Sequence, residues 1–311
     1  MRDMRQRSTG LVLVLLGAAL FGTLGVFGRA ATLSGMSMAT LLGLRFVAAT
    51  GILLGYLLVR NRFRVLGGRL LGAELGLGVV YGVMSVTYFE SLAWLSAGVA
   101  ALLLFTYPVQ VTLLSSVTLD ERVTLPKLLS LAAAVSGVAL VVTGGELAAT
   151  PAGVVLVGVA SVCYTIYAMG TRVLVSDVEP LIHASYVFAG VTVTVLAYGV
   201  ATASLSVPAT ATGWWLVGGV TAVGTLVPMV LFTEGLARIE ASTASIVGTS
   251  EPLTTVLLGV AFLGESLTPS IAVGALLVLS GVVLTSPAAE RVIRRRLQRR
   301  GENPVLGGSR E

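Results

Sequence analysis

Apolar stretches long enough to cross a lipid bilayer recur along almost the whole chain. A transmembrane helix needs about 20 mostly apolar residues. Only 11% of the 311 residues are charged, whereas soluble domains carry about 25%, so a water-soluble fold of this size could not cover its surface. The sequence therefore predicts an all-α integral membrane protein with ten transmembrane helices. The predicted helices are 9–31, 37–59, 70–92, 97–119, 125–143, 152–172, 181–203, 213–236, 241–263 and 269–286.

The distribution of basic residues predicts how these helices are oriented. Of the 20 lysines and arginines, 18 lie in the N-terminal segment, in every second loop and in the C-terminal segment. The other two, Arg29 and Arg45, lie within predicted helices. Because lysine and arginine concentrate in cytoplasmic loops, both termini are predicted to be cytoplasmic. Residues 1–8 then form a cytoplasmic N-terminus, and 287–311 form a basic cytoplasmic tail that we expect to be disordered.

The two halves of the chain repeat one another at an offset of 144 residues without a gap. Between 90 and 140, 15 of 51 positions are identical to the residue 144 positions later. The matched pairs include Glu90 and Glu234, Pro108 and Pro252, and Glu121 and Glu265. We assign the repeats to 9–145 and 150–286, with five predicted helices each. Because five is odd, the second copy crosses the membrane in the opposite sense, and such inverted repeats are typical of secondary transporters.

Short motifs at the end of helix 3 and in helix 4 recur in the second half. Residues 88–108 read YFESLAWLSAGVAALLLFTYP and are followed by Asp120-Glu121-Arg122 and Gly137-Val138. This pattern resembles the EamA domain of the drug/metabolite transporter (DMT) superfamily. The second half resembles it through Ala241-Ser-Thr-Ala-Ser245, Glu251-Pro252, Gly264-Glu265 and Gly281-Val282.

The resemblance implies a helical bundle with a central cavity between the two five-helix halves. It also implies a small-molecule transporter that crosses the cell membrane (plasma or inner membrane) many times. Arg45 matches the arginine that such domains often carry in their second helix. In the second copy, Val187 or its neighbour stands at that position, so the role of Arg45 is not duplicated.

Two residues next to prolines are the first candidates for a substrate or proton site. An ionisable side chain within the bilayer costs about 2.5–3.5 kcal/mol on insertion scales, which favours a functional role. Glu251 lies near the middle of helix 9 and precedes Pro252, and its repeat mate Tyr107 precedes Pro108. Both prolines are expected to kink their helices and free a carbonyl group. Glu251 could bind substrate or the coupling proton, or form a purely structural hydrogen bond.

Arg45 and Glu90 form the second candidate group. Arg45 lies too deep to reach the outer surface easily, so it needs a partner, and Glu90 on helix 3 is the candidate. The pair is either a structural ion pair or an outer gate, with Arg45 as an anion site for a carboxylate substrate. Tyr107 is either part of the site or packed in the core. Other aromatic residues that could line the cavity are Tyr81, Tyr88, Tyr164, Tyr167 and Trp215.

The remaining ionisable residues receive structural roles. Glu74 is expected to be solvated near the cytoplasmic face. Glu121 and Glu265 precede helices 5 and 10, and the helix dipole favours a carboxylate at a helix N-terminus. The sole histidine, His183, lies near a helix end and receives no role.

The sequence thus predicts a secondary active transporter that exports small metabolites or drugs by alternating access, with the proton as candidate coupling ion. The chain contains no phosphate-binding G-x-x-x-x-G-K-[ST] motif and no cluster of metal ligands or catalytic groups, so we expect no cofactor, no metal and no enzymatic activity. The expected partners are a small-molecule substrate and the lipid bilayer; nucleic acid is not expected, and a homodimer stays open. The alternatives are a transporter-derived receptor or scaffold and a membrane-embedded enzyme.

Overall fold

The computed structural model describes residues 2–118, 125–143, 150–174, 178–236, 238–239, 247–248 and 250–284. Every regular element in these ranges is helical. A π-helical segment, Ala222–Leu226, joins the α-helices Ala211–Thr221 and Val227–Leu236. The predicted tail, 287–311, lies outside the described residues. The helices are α1 (Arg2–Phe21), α2 (Thr23–Leu33), α3 (Met38–Val59), α4 (Gly68–Ser91), α5 (Ala97–Leu104), α6 (Tyr107–Thr118), α7 (Leu125–Thr143), α8 (Pro151–Leu174), α9 (Pro180–Ala201), α10 (Ala211–Thr221), α11 (Val227–Leu236), α12 (Ser250–Leu263) and α13 (Pro269–Leu284).

Six helical stretches in the described part of the chain are long and apolar enough to cross a membrane. Three shorter apolar helices, Ala97–Val111, Ser250–Leu263 and Pro269–Gly281, fall on predicted helices 4, 9 and 10. The prediction of a multi-pass, all-helical membrane protein is confirmed. The six long stretches are Ser8–Leu33, Met38–Val59, Gly68–Ser91, Pro151–Thr171, Pro180–Ala201 and Ala211–Gly235.

Some predicted helices are interrupted rather than continuous. Predicted helix 1 consists of α1 and α2, which meet at Gly22. Predicted helix 4 consists of α5 and α6, separated by a turn at Phe105 and Thr106. Pro108 is the second residue of α6, where its missing N–H leaves no hydrogen bond unmade. At the interruption, the carbonyl of Leu104 accepts a hydrogen bond of 3.3 Å from the hydroxyl of Ser161 on α8.

Two equivalent helices end in the same backbone conformation. Asn61 follows α3 and Ala203 follows α9, and both have a φ of +50°. This left-handed region is unfavourable for residues with a Cβ atom. The two positions lie 142 residues apart, close to the offset of the sequence repeat, so the repeat extends to a detail of the backbone.

The helices that join the two halves pack in equivalent pairs. α4 of the first half packs on α8 of the second, and α11 of the second half packs on α1 of the first. α7 packs on α13, its own counterpart. Each of these contacts is therefore matched by an equivalent contact with the two halves exchanged, as expected for two halves related by an approximate two-fold axis.

α4 and α9, from opposite halves, cross in close contact. A Cβ atom on Gly78 would lie 2.6 Å from the carbonyl oxygen of Val187. A Cβ atom on Gly190 would lie 2.8 Å from the carbonyl oxygen of Leu75. Small residues allow such backbone-to-backbone contact between membrane helices. Both glycines are therefore required by the close approach of the helices.

Candidate functional site

A cluster of tyrosines lies where α4 and α6 of the first half meet α8 of the second. The ring centroids of Tyr107 and Tyr164 are 4.2 Å apart, with 68° between the planes. Tyr81 lies 4.9 Å from Tyr167, again edge to face. These edge-to-face geometries are favourable for aromatic pairs. The cluster offers a planar solute both aromatic faces and hydroxyl groups.

Trp215 does not belong to this cluster. Its side chain is 79% exposed on the outer face of α10. The prediction that it lines the cavity is wrong. Apolar helices in a bilayer have no polar side to mark their outward face, so the sequence pattern did not reveal its direction.

Glu251 reaches the tyrosine cluster from the first turn of α12. It lies within electrostatic range of Tyr88, Tyr107 and Tyr164. Its carboxylate forms no hydrogen bond or ion pair with another residue that the structure describes, and the residue is partly exposed. The carboxylate oxygens are therefore available to a solute, a proton or water.

The backbone around Glu251 is held against the interruption at Gly22. A Cβ atom on Gly22 would lie 2.7 Å from the carbonyl oxygen of Glu251. The hydroxyl of Thr255 donates a hydrogen bond of 2.8 Å to the carbonyl of Gly22. α12 therefore has a fixed position against the junction of α1 and α2, which orients Glu251 towards the cluster.

Arg45 is buried between α3 and the π-helical segment. Its side chain is 3% exposed, and Nε donates a hydrogen bond of 2.8 Å to Oγ1 of Thr225. Its guanidinium lies 4.5 Å from the ring centroid of Phe46 and 5.5 Å from that of Phe89, a favourable cation–π environment. π-helical segments inside α-helices are frequent at functional sites. This one presents the hydroxyl of Thr225 to the arginine.

The predicted ion pair between Arg45 and Glu90 is wrong. Glu90 instead accepts a hydrogen bond of 3.0 Å from the hydroxyl of Tyr198. The Nη atoms of Arg45 donate no hydrogen bond to any residue in the described ranges, so they can bind an anionic group. Sequence position gives the depth of a residue in the membrane but not the direction of its side chain around the helix axis.

A second polar cluster lies between the halves, near the N-terminal ends of α4 and α9. Oε2 of Glu74 lies 2.7 Å from Nδ1 of His183. Nε2 of His183 lies 3.2 Å from the hydroxyl of Tyr167. Glu74 is 0% exposed, and its Oε1 has no hydrogen-bond partner among the residues that the structure describes.

The expectation that Glu74 is solvated is therefore wrong, because this face of α4 is covered by α8 and α9. The sequence offered one signal for His183, namely that it is the only histidine. That signal was too weak to give it a role.

Glu265 contacts a helix in the opposite half. Its Oε1 and Oε2 accept hydrogen bonds of 2.6 Å from the N–H of Ala97 and 3.2 Å from that of Gly98. The carboxylate therefore caps the N-terminus of α5, where the helix dipole favours negative charge. Glu265 was predicted to cap the start of helix 10. Thr268 caps it instead, because its Oγ1 accepts a hydrogen bond of 3.2 Å from the N–H of Ile271. Glu121, the repeat mate of Glu265, lies outside the described residues.

Comparisons with known proteins agree with the internal repeat. The model of the EamA-like transporter family matches residues 8–143 and, a second time, 151–286. An uncharacterized transporter of Archaeoglobus fulgidus is 28% identical over 275 residues, which cover 88% of this chain and 95% of that protein. The uncharacterized transporter YwfM of Bacillus subtilis is 43% identical over 61 residues, 20% of this chain and 21% of that one. A crystal structure with 18% sequence identity covers 92% of this chain and 99% of its own, with a TM-score of 0.61, and so shares the fold.

Proposed function

The chain belongs to the EamA-like transporter family, and from this premise we propose that it is a secondary active transporter that exports small metabolites or drugs. Transport proceeds by alternating access between two inverted five-helix repeats, 9–145 and 150–286. In this proposal ten helices cross the cell membrane and both termini are cytoplasmic. Proton coupling drives export against the gradient of the solute.

The relative directions of neighbouring helices support this topology. α4 and α9 run parallel, because Glu74 contacts His183 near their first turns and Glu90 contacts Tyr198 near their last. Parallel directions are required if these helices are the third and the seventh of ten.

α1 and α11 run antiparallel. A Cβ on Gly10 would lie 2.8 Å from Cβ of Arg238, and one on Gly17 would lie 3.0 Å from the backbone nitrogen of Phe232. Antiparallel directions are required if these helices belong to the first and the eighth spans.

The observation that carries the proposal is the pair of uncompensated ionisable groups between the halves. Glu251 and Arg45 form no ion pair with any residue that the structure describes, although both lie at membrane depth. Unpaired ionisable groups in a bilayer face protein interior or water and mark substrate and ion pathways. We assign Glu251 to the substrate or the coupling proton and Arg45 to an anionic group of the substrate.

Tyrosines complete the proposed site. Tyr107 and Tyr164 supply faces on which a planar solute can stack. Tyr88 is buried and its hydroxyl would lie 3.0 Å from a Cβ on Gly25, so it lies beside α2. Glu90 acts indirectly, since its bond to Tyr198 holds α4 against α9.

A flux assay with purified protein in proteoliposomes tests the proposal. A library of metabolites and drugs is loaded, and efflux is measured with and without an imposed pH gradient. We expect efflux of at least one class of solute, with a loss of 10-fold or more, or a loss of the pH-gradient dependence, in Glu251→Gln. Glu234→Gln is the matched control, because Glu234 is exposed and paired with Arg238.

The two outcomes of this assay that contradict the proposal are distinct. Unchanged rate and pH dependence in Glu251→Gln would remove Glu251 from the site but leave transport standing. Formation of a chemically altered product from a solute would replace the transporter by an enzyme.

A further inference from the structure

The cluster of Glu74, His183 and Tyr167 is the buried polar contact between the two repeats at one end of the α4–α9 crossing. At the surface of the same end, Arg62 pairs with Glu179. Glu74 belongs to the first repeat, and the other two residues belong to the second. The glycine contacts of the same crossing, at Gly78 and Gly190, lie one to two turns further along both helices. Separation of the repeats at this end therefore has to break the bond between Glu74 and His183.

The chemistry of this pair suits the reversible binding of a proton. When His183 is protonated, its Nδ1–H donates to Oε2 of Glu74 at 2.7 Å and the pair has no net charge. Oε1 of Glu74 is buried and has no hydrogen-bond partner among the described residues, so a second proton has an acceptor atom available. An added proton turns the pair from carboxylate and imidazolium, with no net charge, into carboxylic acid and imidazolium, with one positive charge.

The surroundings do not compensate for that added charge. α8 contributes Tyr167, whose hydroxyl contacts His183, and Tyr81 on α4 lies 4.9 Å from the Tyr167 ring. Among the described residues, neither Glu74 nor His183 contacts a second carboxylate, and Glu179, the acid before α9, is paired with Arg62. A net charge in a buried site is costly unless water reaches it. The charged form is therefore favoured when α4 separates from α8 and α9 and water enters.

We propose that Glu74 and His183 form the binding site of the coupling proton, and that the protonated pair opens the bundle at the first turns of α4 and α9. In the proposed topology this is the cytoplasmic end. The inference rests on the proposed function, because a coupling proton requires transport. It assigns proton binding to this pair and leaves Glu251 to the solute.

The single histidine permits a direct test with the proton as the ligand. Full-length protein with ¹⁵N-labelled histidine, purified through a histidine-free tag and placed in nanodiscs, gives the imidazole signals of His183 alone. We expect the pH dependence of these signals to change in Glu74→Gln, because the carboxylate that contacts Nδ1 is removed. Glu90→Gln should titrate like the unsubstituted protein, since it removes a carboxylate from the other end of the same two helices.

A second measurement follows the opening itself. Spin labels are attached to Arg69→Cys and Pro180→Cys, two exposed positions, in a Cys163→Ala background. We expect the distance between the labels to change with pH, and this response to disappear in Glu74→Gln and in His183→Gln. It should persist in Glu90→Gln.

The proposal is overturned if His183 titrates identically with and without Glu74, or if the pH response of the labels survives both substitutions. An equal effect of Glu90→Gln would also overturn it, because any loosening of α4 would then suffice. Neither measurement needs a solute. If the flux assay shows efflux but these two measurements are negative, the protein is a transporter and the proton site is wrong. If the pair responds to pH but no solute is exported, the proposed transport function is contradicted.

Discussion

At the scale of single residues, Arg45 is a buried cation that forms no ion pair with any residue that the structure describes. Replacement by glutamine keeps a donor for Thr225 but removes the charge. Hydrogen bonds to charged groups contribute about 1.5–3 kcal/mol, so we expect efflux of an anionic solute to fall by ~10-fold or more. Efflux assays on an anionic and a neutral solute of similar shape measure the difference.

Thr225→Val is the matched control for Arg45. It removes the hydroxyl that accepts from Nε and leaves the positive charge in place. An equal loss for both solutes in Arg45→Gln would show that the arginine supports packing rather than an anion site. A loss of efflux in Thr225→Val as large as that in Arg45→Gln would also indicate that Arg45 supports packing.

Residue types were easier to predict than residue partners. The sequence singled out Glu251, Tyr107 and Arg45 because ionisable and polar groups are rare in apolar helices. It paired Arg45 with Glu90, since both lie in neighbouring helices near one membrane surface. The structure turns Arg45 towards Thr225 instead. The periodicity and hydropathy of a sequence do not determine how a helix is rotated about its own axis when the helix is apolar on all sides.

At the scale of elements, the crossing of α4 and α9 depends on glycine. Gly78→Ala places a methyl group 2.6 Å from the carbonyl oxygen of Val187, a backbone atom that cannot move alone. We expect a loss of about 1–3 kcal/mol, typical of overpacked contacts, seen as a lower Tm of the purified protein. Gly76→Ala, on the same helix, meets nothing within 4 Å and should leave the Tm unchanged or slightly higher. Equal melting of both variants would contradict the close contact.

Uninterrupted helices were predicted well, whereas only one of the interruptions, the one beside Pro108 in helix 4, was expected. α3, at Met38–Val59, matches the predicted 37–59, and α9, at Pro180–Ala201, begins one residue before the predicted 181. The break at Gly22 and the π-helical segment at Ala222–Leu226 were not expected. Hydropathy reports whether a stretch is apolar, whereas a break depends on what the freed backbone groups contact in the neighbouring helices.

At the scale of the whole molecule, the family match to each half supports two copies of one unit, and their relative orientation is the decisive question. The loop after α3 and the loop after α9 occupy equivalent positions in the two copies. If the copies are inverted, these loops lie on opposite sides of the membrane; if they are not, they lie on the same side. Val65 and Val207, 79% and 77% exposed, provide one labelling position in each loop.

We therefore expect Val65→Cys and Val207→Cys, each in a Cys163→Ala background, to differ in their reaction with a membrane-impermeant maleimide. Val207→Cys should react in intact cells, because its loop is predicted to lie outside. Val65→Cys should react only after the membrane is permeabilised, since arginines flank it at positions 60, 62, 64 and 69 and such loops stay cytoplasmic. Reaction of both cysteines in intact cells, or of neither, would place equivalent loops on one side and rule out inversion. Alternating access would then lack its structural basis, because the two open states are related by exchange of inverted halves.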